Sequence, residues 1–175
     1  MKKISFRNDV LPLKDLLYRL ALRITQNKAE AEDIVQDTLI KVWQRRDTWE
    51  TIDSVEAFSL TICRNLSLDR IALKERKNAS LDDDSTGRHA TEQADSGQSP
   101  LEQTALKDRV ALVRTLIDQL PEKQRSCMQL RDFEGKAYKE IADIMGISEE
   151  QVKVNIFRAR QAIKQKFKTL DNYGL

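Results

Sequence analysis

Residues 136–168, KAYKEIADIMGISEEQVKVNIFRARQAIKQKFK, decide the fold. Tyr138, Ile141, Ala142 and Met145 recur at i, i+3, i+4 and i+7, the spacing of one apolar helix face. Gly146 follows, supplying the left-handed conformation that ends a helix. Ser148 with Gln151 three positions on is a capping box, so a second helix starts there. Val152, Ile156, Ala159, Ile163 and Phe167 then form one apolar stripe. Two short helices around a tight turn are the sequence form of a helix-turn-helix, whose second helix enters the DNA major groove.

At about 100° per residue, the face opposite that stripe carries Gln151, Val154, Arg158 and Gln161, with Asn155 beside it. From Gln151 to Lys168 the charged residues are Lys153, Arg158, Arg160, Lys164, Lys166 and Lys168, all basic. A solvated helix mixes signs, so a run of one sign favours phosphates. Glu149 and Glu150 open the helix. Glu149 suits the positive end of the helix dipole. Glu150 lies nearer the outward face and can accept a hydrogen bond from a cytosine amino group. A basic surface helix of a bundle would show the same pattern, so the rest of the chain has to discriminate.

A chain of 175 residues allows one domain or two small ones. Its 30 Lys and Arg nearly cancel 28 Asp and Glu, so net charge says nothing about nucleic acid. The distribution does: basic charge gathers in two helices and acidic charge in the middle. Five Gly, three Pro and 6% aromatic residues suit an all-α protein. Cys63 and Cys127 each lie in an apolar helical context and read as core residues. One histidine, His89, leaves no metal site to propose. A Gly-rich phosphate loop and a nucleophile elbow are both missing, so neither a cofactor nor an enzyme is expected. The N-terminus, MKKISFRNDVLPLKD, has no apolar run behind its lysines and does not read as a signal peptide. No stretch approaches the ~20 apolar residues that span a bilayer. A soluble, cytoplasmic protein without membrane insertion is expected.

A first helix is predicted from about Asp9 to Thr25, with Leu13, Leu16, Leu17, Leu20 and Ile24 on its apolar side. Asn27 with Glu30 caps a second that reaches about Arg46, and Asp53 with Glu56 caps a third that ends near Lys77. These three could close a small core. Between Asn78 and Thr104, acidic residues (Asp82, Asp83, Asp84, Glu92, Asp95, Glu102) sit among Ser, Gly and Gln without any period, the composition of a flexible linker. Leu106, Val110, Val113 and Ile117 begin a new helix, and Pro121 suits the first turn of the next. That one runs to about Phe133, and Gly135 ends it.

In the second helix Asp33, Gln36, Asp37, Ile40 and Gln44 face away from the apolar side. An Ile among carboxylates and amides reads as a protein-binding face or as ordinary wet surface. The third helix carries Arg64, Asn65, Arg70, Lys74, Arg76 and Lys77, with Asp69 and Glu75 only partly offsetting them. Asn can bond base edges, and Arg and Lys can hold phosphates. Trp49, in the loop before it, reads either as a base-stacking group or, better, as a hydrophobic plug on the core.

AEDIVQDTLIKVW (31–43), SLTICRNLSLD (59–69) and LPEKQRSCMQLRDFEGKAYKEIADIMGISEEQVKVNIFRARQAI (120–163) together resemble bacterial RNA polymerase sigma factors, specifically the extracytoplasmic function (ECF) group of the sigma-70 family. The ordered set carries the resemblance, because a generic helix-turn-helix regulator has no reason to hold the first two segments. The resemblance implies two small helical domains joined by a flexible linker: region 2 over 1–78, the linker over 79–103 and region 4 over 104–175. It implies that Asp33, Gln36, Asp37, Ile40 and Gln44 dock on core RNA polymerase. Thr48, Trp49, Arg64, Asn65, Arg70 and Lys74 would hold the melted minus-ten strand. Glu150, Gln151, Lys153, Val154, Asn155, Arg158 and Arg160 would read the minus-thirty-five duplex. The partners so implied are core polymerase, promoter DNA as duplex and as non-template single strand, and an anti-sigma factor. Val154 and Asn155 stand where many relatives have a short polar residue and an Arg, so the bases read do not carry over. A free-standing helix-turn-helix regulator and a helical polymerase adaptor that does not read DNA are the competing readings.

Overall fold

All regular secondary structure is helical among the residues described, 3–80 and 101–172, in a computed structural model of the chain. The first helix, α1 (Lys14–Thr25), follows a π turn (Phe6–Val10) and a 3-10 turn (Leu11–Leu13). A regular α-helix was expected from about Asp9. Pro12 explains the delay: without an N–H it suits only a first turn, so the regular ladder starts after it. Helix α2 (Lys28–Gln44) is capped as expected, with the Glu30 N–H donating to Asn27 Oδ1 at 3.0 Å. A 3-10 segment (Arg46–Thr51) leads to α3 (Val55–Ser80). Here the cap is Ser54 rather than Asp53: its Oγ accepts from the Ala57 N–H at 3.1 Å.

From residue 101 onward come α4 (Leu101–Asp118), α5 (Glu122–Met128) continued by a π turn (Gln129–Phe133), α6 (Tyr138–Met145) and α7 (Glu149–Asn172). Of the expected linker over 79–103, residues 81–100 lie outside the described residues. Gly146 ends α6 at φ 67°, and the Ser148–Gln151 capping box forms in both directions at 3.2 Å. The helix-turn-helix is therefore built as its sequence prescribes.

Packing departs from the expectation that the first three helices close a core alone. Leu17, Leu20, Ala21 and Ile24 of α1, Ala31, Ile34 and Val35 of α2, and Leu60 and Cys63 of α3 belong to one buried cluster. That cluster also holds Cys127, Leu130, Ile141, Ala142, Ile144, Met145, Val152 and Ile156 from α5 to α7. The two halves thus share a core. Two satellite clusters complete the interior. Ile117, Leu120, Met128 and Ala159 join α4, α5 and α7. Val10, Val42 and Trp49 close the far end of the first half.

A Cβ at Gly146 would meet no atom within 4 Å, so only backbone strain opposes a side chain there. Gly146→Ala is expected to lower stability by about 1–2 kcal/mol, read from urea unfolding followed by circular dichroism.

Candidate nucleic-acid interface

The outward face of α7 is shaped before any ligand arrives. Glu150, Gln151, Val154 and Arg158 are exposed and Asn155 half-buried, and they line a hollow of about 480 Å³ with Ile147, Ser148 and Lys123. Arg158 forms no ion pair among the described residues. Asn155 Nδ2 donates to the Gln151 carbonyl at 2.8 Å, so its amide oxygen is the end left free for a ligand. Lys153 stands beside this face with Nζ 5.5 Å from the Tyr138 ring centroid, a ring that Arg131 covers at 4.4 Å.

Arg160 behaves differently. Its Nε and Nη2 both donate to the Asp132 carboxylate, Nε to Oδ2 at 3.1 Å, and this pairing holds its pKa above the ordinary arginine value. Its guanidinium braces α7 against the turn after α5 and is turned away from the outward face. Two residues join the face that sequence reading did not select. Lys123 comes from α5 and is brought in by the tertiary packing of α5 on α7. Phe157, 63% exposed beside Val154, was legible as an apolar residue outside the stripe.

On the first half, Asp33, Gln36, Asp37, Ile40 and Gln44 are all exposed along α2, Ile40 by 54%. In the last turn of the same helix Trp43 is half-exposed, with the Arg46 guanidinium 4.7 Å from its ring and Phe6 edge-on to it. Arg70 of α3 reaches back to Asp33 and Asp37 at 3.9 and 4.0 Å, and Lys74 reaches Glu30 at 3.6 Å. The basic edge of α3 therefore runs beside the acidic edge of α2. Surface pairs of this length are individually weak and leave the cations available to a stronger anion.

Thr48 and Asn65 are exposed, but Trp49 and Arg64 are not. Trp49 is 8% exposed and donates from Nε1 to the Val42 carbonyl at 3.1 Å, so it plugs the core and offers no ring face for a base. Arg64 is 7% exposed, buried where the halves meet. Its Nη2 lies 3.3 Å from Glu122 Oε2 and its Nη1 3.5 Å from the Met145 carbonyl. Residue type alone grouped it with Asn65 next to it, but Arg64 lies one turn from Leu60 and Ser67 on the buried face of α3, where α6 packs.

Polar contacts rim the same seam. Arg19 forms a two-point pair with Glu134 at 2.6 and 2.9 Å, Lys136 pairs with Glu56, and Arg23 meets Gln129 at 2.9 Å and Asp118 at 3.3 Å. Burial lowers the pKa of Arg23 and of Arg125, which donates across the seam to the Ile24 carbonyl. Burial also pushes the Cys63 thiol up to about 12 and the Cys127 thiol up to about 11. Both stay protonated near neutral pH and have no thiolate to react. No group of residues able to hold a metal ion occurs among the described residues, and none of their helices is long and apolar enough to cross a membrane.

Comparison with known proteins places two sequence families on the chain: sigma-70 region 2 over residues 10–77 and sigma-70 region 4 over residues 111–163. The ECF RNA polymerase sigma factor SigL of Mycobacterium tuberculosis is 31% identical over 154 residues, covering 85% of this chain and 81% of SigL. SigM of Bacillus subtilis, also an ECF RNA polymerase sigma factor, is 29% identical over 159 residues, covering 91% and 88%. Among solved structures, the sigma factor RpoE from Bartonella quintana, crystallised with the anti-sigma factor NepR, superposes with a TM-score of 0.75. It is 25% identical, over 93% of this chain and 96% of that one.

If Trp49 is a plug, its loss is felt as stability. Trp49→Ala is expected to cost about 3–5 kcal/mol in urea unfolding, whereas Trp49→Phe, which keeps most of the packing, costs markedly less.

Proposed function

The chain belongs to the sigma-70 family of RNA polymerase sigma factors, in the ECF group, and from that premise we propose that it grips a promoter at two points while held on core polymerase. The family makes it a transcription initiation factor without catalytic chemistry of its own. The observation that carries the finer reading is the preformed hollow on α7, where Gln151, Val154 and Arg158 face outward on a helix delivered by a tight turn. A B-DNA major groove about 12 Å wide admits such a helix and displays base edges to it.

In this reading region 4 comprises 104–175 and region 2 comprises 1–78, with 79–103 between them. Asn155 meets an adenine edge or a phosphate, Val154 a thymine methyl and Glu150 a cytosine amino group, Gln151 lies on the same face, and Lys153 and Arg158 hold phosphates. Lys123 joins the phosphate contacts. Arg160 serves by bracing α7. On region 2, Asp33, Gln36, Asp37, Ile40 and Gln44 dock on polymerase. Asn65 and Thr48 contact flipped minus-ten bases, and Arg70 and Lys74 hold the backbone of that strand. Extruding a base costs a few kcal/mol of stacking, which such contacts must replace. The protein works in the cytoplasm, where its polymerase is, and an anti-sigma factor of the kind seen with RpoE fits as a partner.

Run-off transcription with core polymerase on a randomised promoter library tests this reading. Polymerase-dependent initiation at enriched minus-thirty-five and minus-ten sequences is expected, and duplex binding as tight without polymerase as with it would refute the reading. Asn65→Ala should lower open-complex formation about tenfold, the effect of one lost hydrogen bond of about 1.5 kcal/mol. Arg158→Ala should weaken binding to all sequences and reduce the salt slope of log affinity by about one. Val154→Ser should change base preference at a single promoter position.

A further inference from the structure

We propose that hydrogen bonds inside the helix lock the amides of Gln151 and Asn155 in opposite senses, so that Gln151 reads a keto oxygen and Asn155 an exocyclic amino group on the minus-thirty-five bases. This specificity rests on the sigma reading above and names the base chemistry that its duplex-reading face takes.

Asn155 Nδ2 donates to the Gln151 carbonyl at 2.8 Å. A carbonyl has no proton to give, so the reversed amide would set oxygen against oxygen. Oδ1 is therefore the end turned outward, and it has no partner among the described residues. The second hydrogen of Nδ2 remains beside it. An acceptor next to a donor matches the N6 amino group and N7 of adenine. Guanine and thymine present only further acceptors to Oδ1 in the major groove, as a phosphate does.

Gln151 is held the other way round. Its Oε1 accepts from the Ser148 N–H at 3.2 Å, while its own N–H donates to Ser148 Oγ at the same distance. Here the backbone partner is a donor, so the reversed amide would set N–H against N–H. The oxygen is tied back to the start of the helix, and Nε2, without a partner among the described residues, is the end presented outward. Recognition helices contact base edges through their N-terminal residues. An N–H donor in that first turn suits O4 of thymine or O6 of guanine.

Gln151 and Asn155 are four positions apart, so they are neighbours on one helix face, and both line the hollow on α7. Asn155 is half-buried there. Neither amide has to be oriented by DNA, because each is oriented by the helix beforehand. Two side chains that could each pair with a donor or an acceptor when free become fixed readers of opposite base chemistry.

Isosteric substitutions in the whole chain test this, scored with core polymerase on promoters randomised over the minus-thirty-five element. Asn155→Ala marks the position that Asn155 faces. There the unmodified protein should favour adenine over guanine and thymine about tenfold, the worth of roughly one base-edge hydrogen bond. Asn155→Asp keeps the outward acceptor and should keep the bias against guanine and thymine. Gln151→Glu keeps the capping oxygen and replaces the outward donor by an acceptor. It should invert the preference at a different position, from thymine or guanine to adenine or cytosine, with urea unfolding unchanged. The added negative charge weakens binding to every sequence alike, so the ratio between bases is the readout. Guanine or thymine enriched opposite Asn155, or a bias lost in Asn155→Asp, would overturn the proposal. So would uniform weakening by Asn155→Ala with no position altered, the mark of a phosphate contact. Unchanged base ratios in Gln151→Glu, or a loss of stability showing that Oε1 is not the capping atom, would overturn it equally. Failure of the unmodified protein to initiate with core polymerase would instead sink the sigma reading itself.

Discussion

Helix α1 is the element on which the rest of the structure depends, because it is packed from both directions. Leu17, Leu20 and Ile24 are wholly or almost wholly buried, and they share one cluster with α2 and α3 on one side and with α5 and α6 on the other. Its polar residues serve the same purpose at the margin: Arg19, Arg23 and Gln26 all bond to residues of the second half. A short amphipathic helix normally covers one neighbour and shows its other face to water. This one is shared, so the stability of each half includes a contribution from contact with the other.

That sharing explains the unequal fates of neighbouring polar residues. Asn65 is in water while Arg64, one position before it, is sealed under α6 with Glu122 for company. Charges buried at a seam fix which surfaces meet, since any other docking would leave the guanidinium without its carboxylate. On α7, in contrast, Arg158 is left to solvent and Arg160 is tied to Asp132. One arginine is thereby open to solvent while its near neighbour ties α7 to the turn after α5. Basic residues counted together in a sequence separate into these two kinds only when their carboxylate partners, 28 residues away for Arg160, are brought beside them.

Much of the fold was legible. The helix-turn-helix, the Asn27 cap and the Ser148–Gln151 box follow from interactions within four residues, and each forms as read. The cap of α3 was misplaced by one residue because Asp53 and Ser54 are both good capping side chains and the choice rests on which one the loop aligns. The outward residues of α2 and α7 were legible for the same local reason: periodicity says which face is apolar, and the opposite face follows. Trp49 is a case where two readings stayed open, and the Val42 carbonyl within reach of its indole settled it as core.

The sequence by itself determined the helices, their caps, the turn at Gly146, and which stripe of each helix would seek cover. Those properties are set by dihedral preference, period and near-neighbour hydrogen bonds, all of which act over a few residues. Only the tertiary structure decided what provides the cover. That α1 would be shared between two halves, that Lys123 would join the α7 face, and that Arg64 would find Glu122, 58 residues away, depend on the docking of whole surfaces. An apolar stripe specifies that burial is favourable but carries no address for its partner, so the seam emerges only when both halves are folded and in contact.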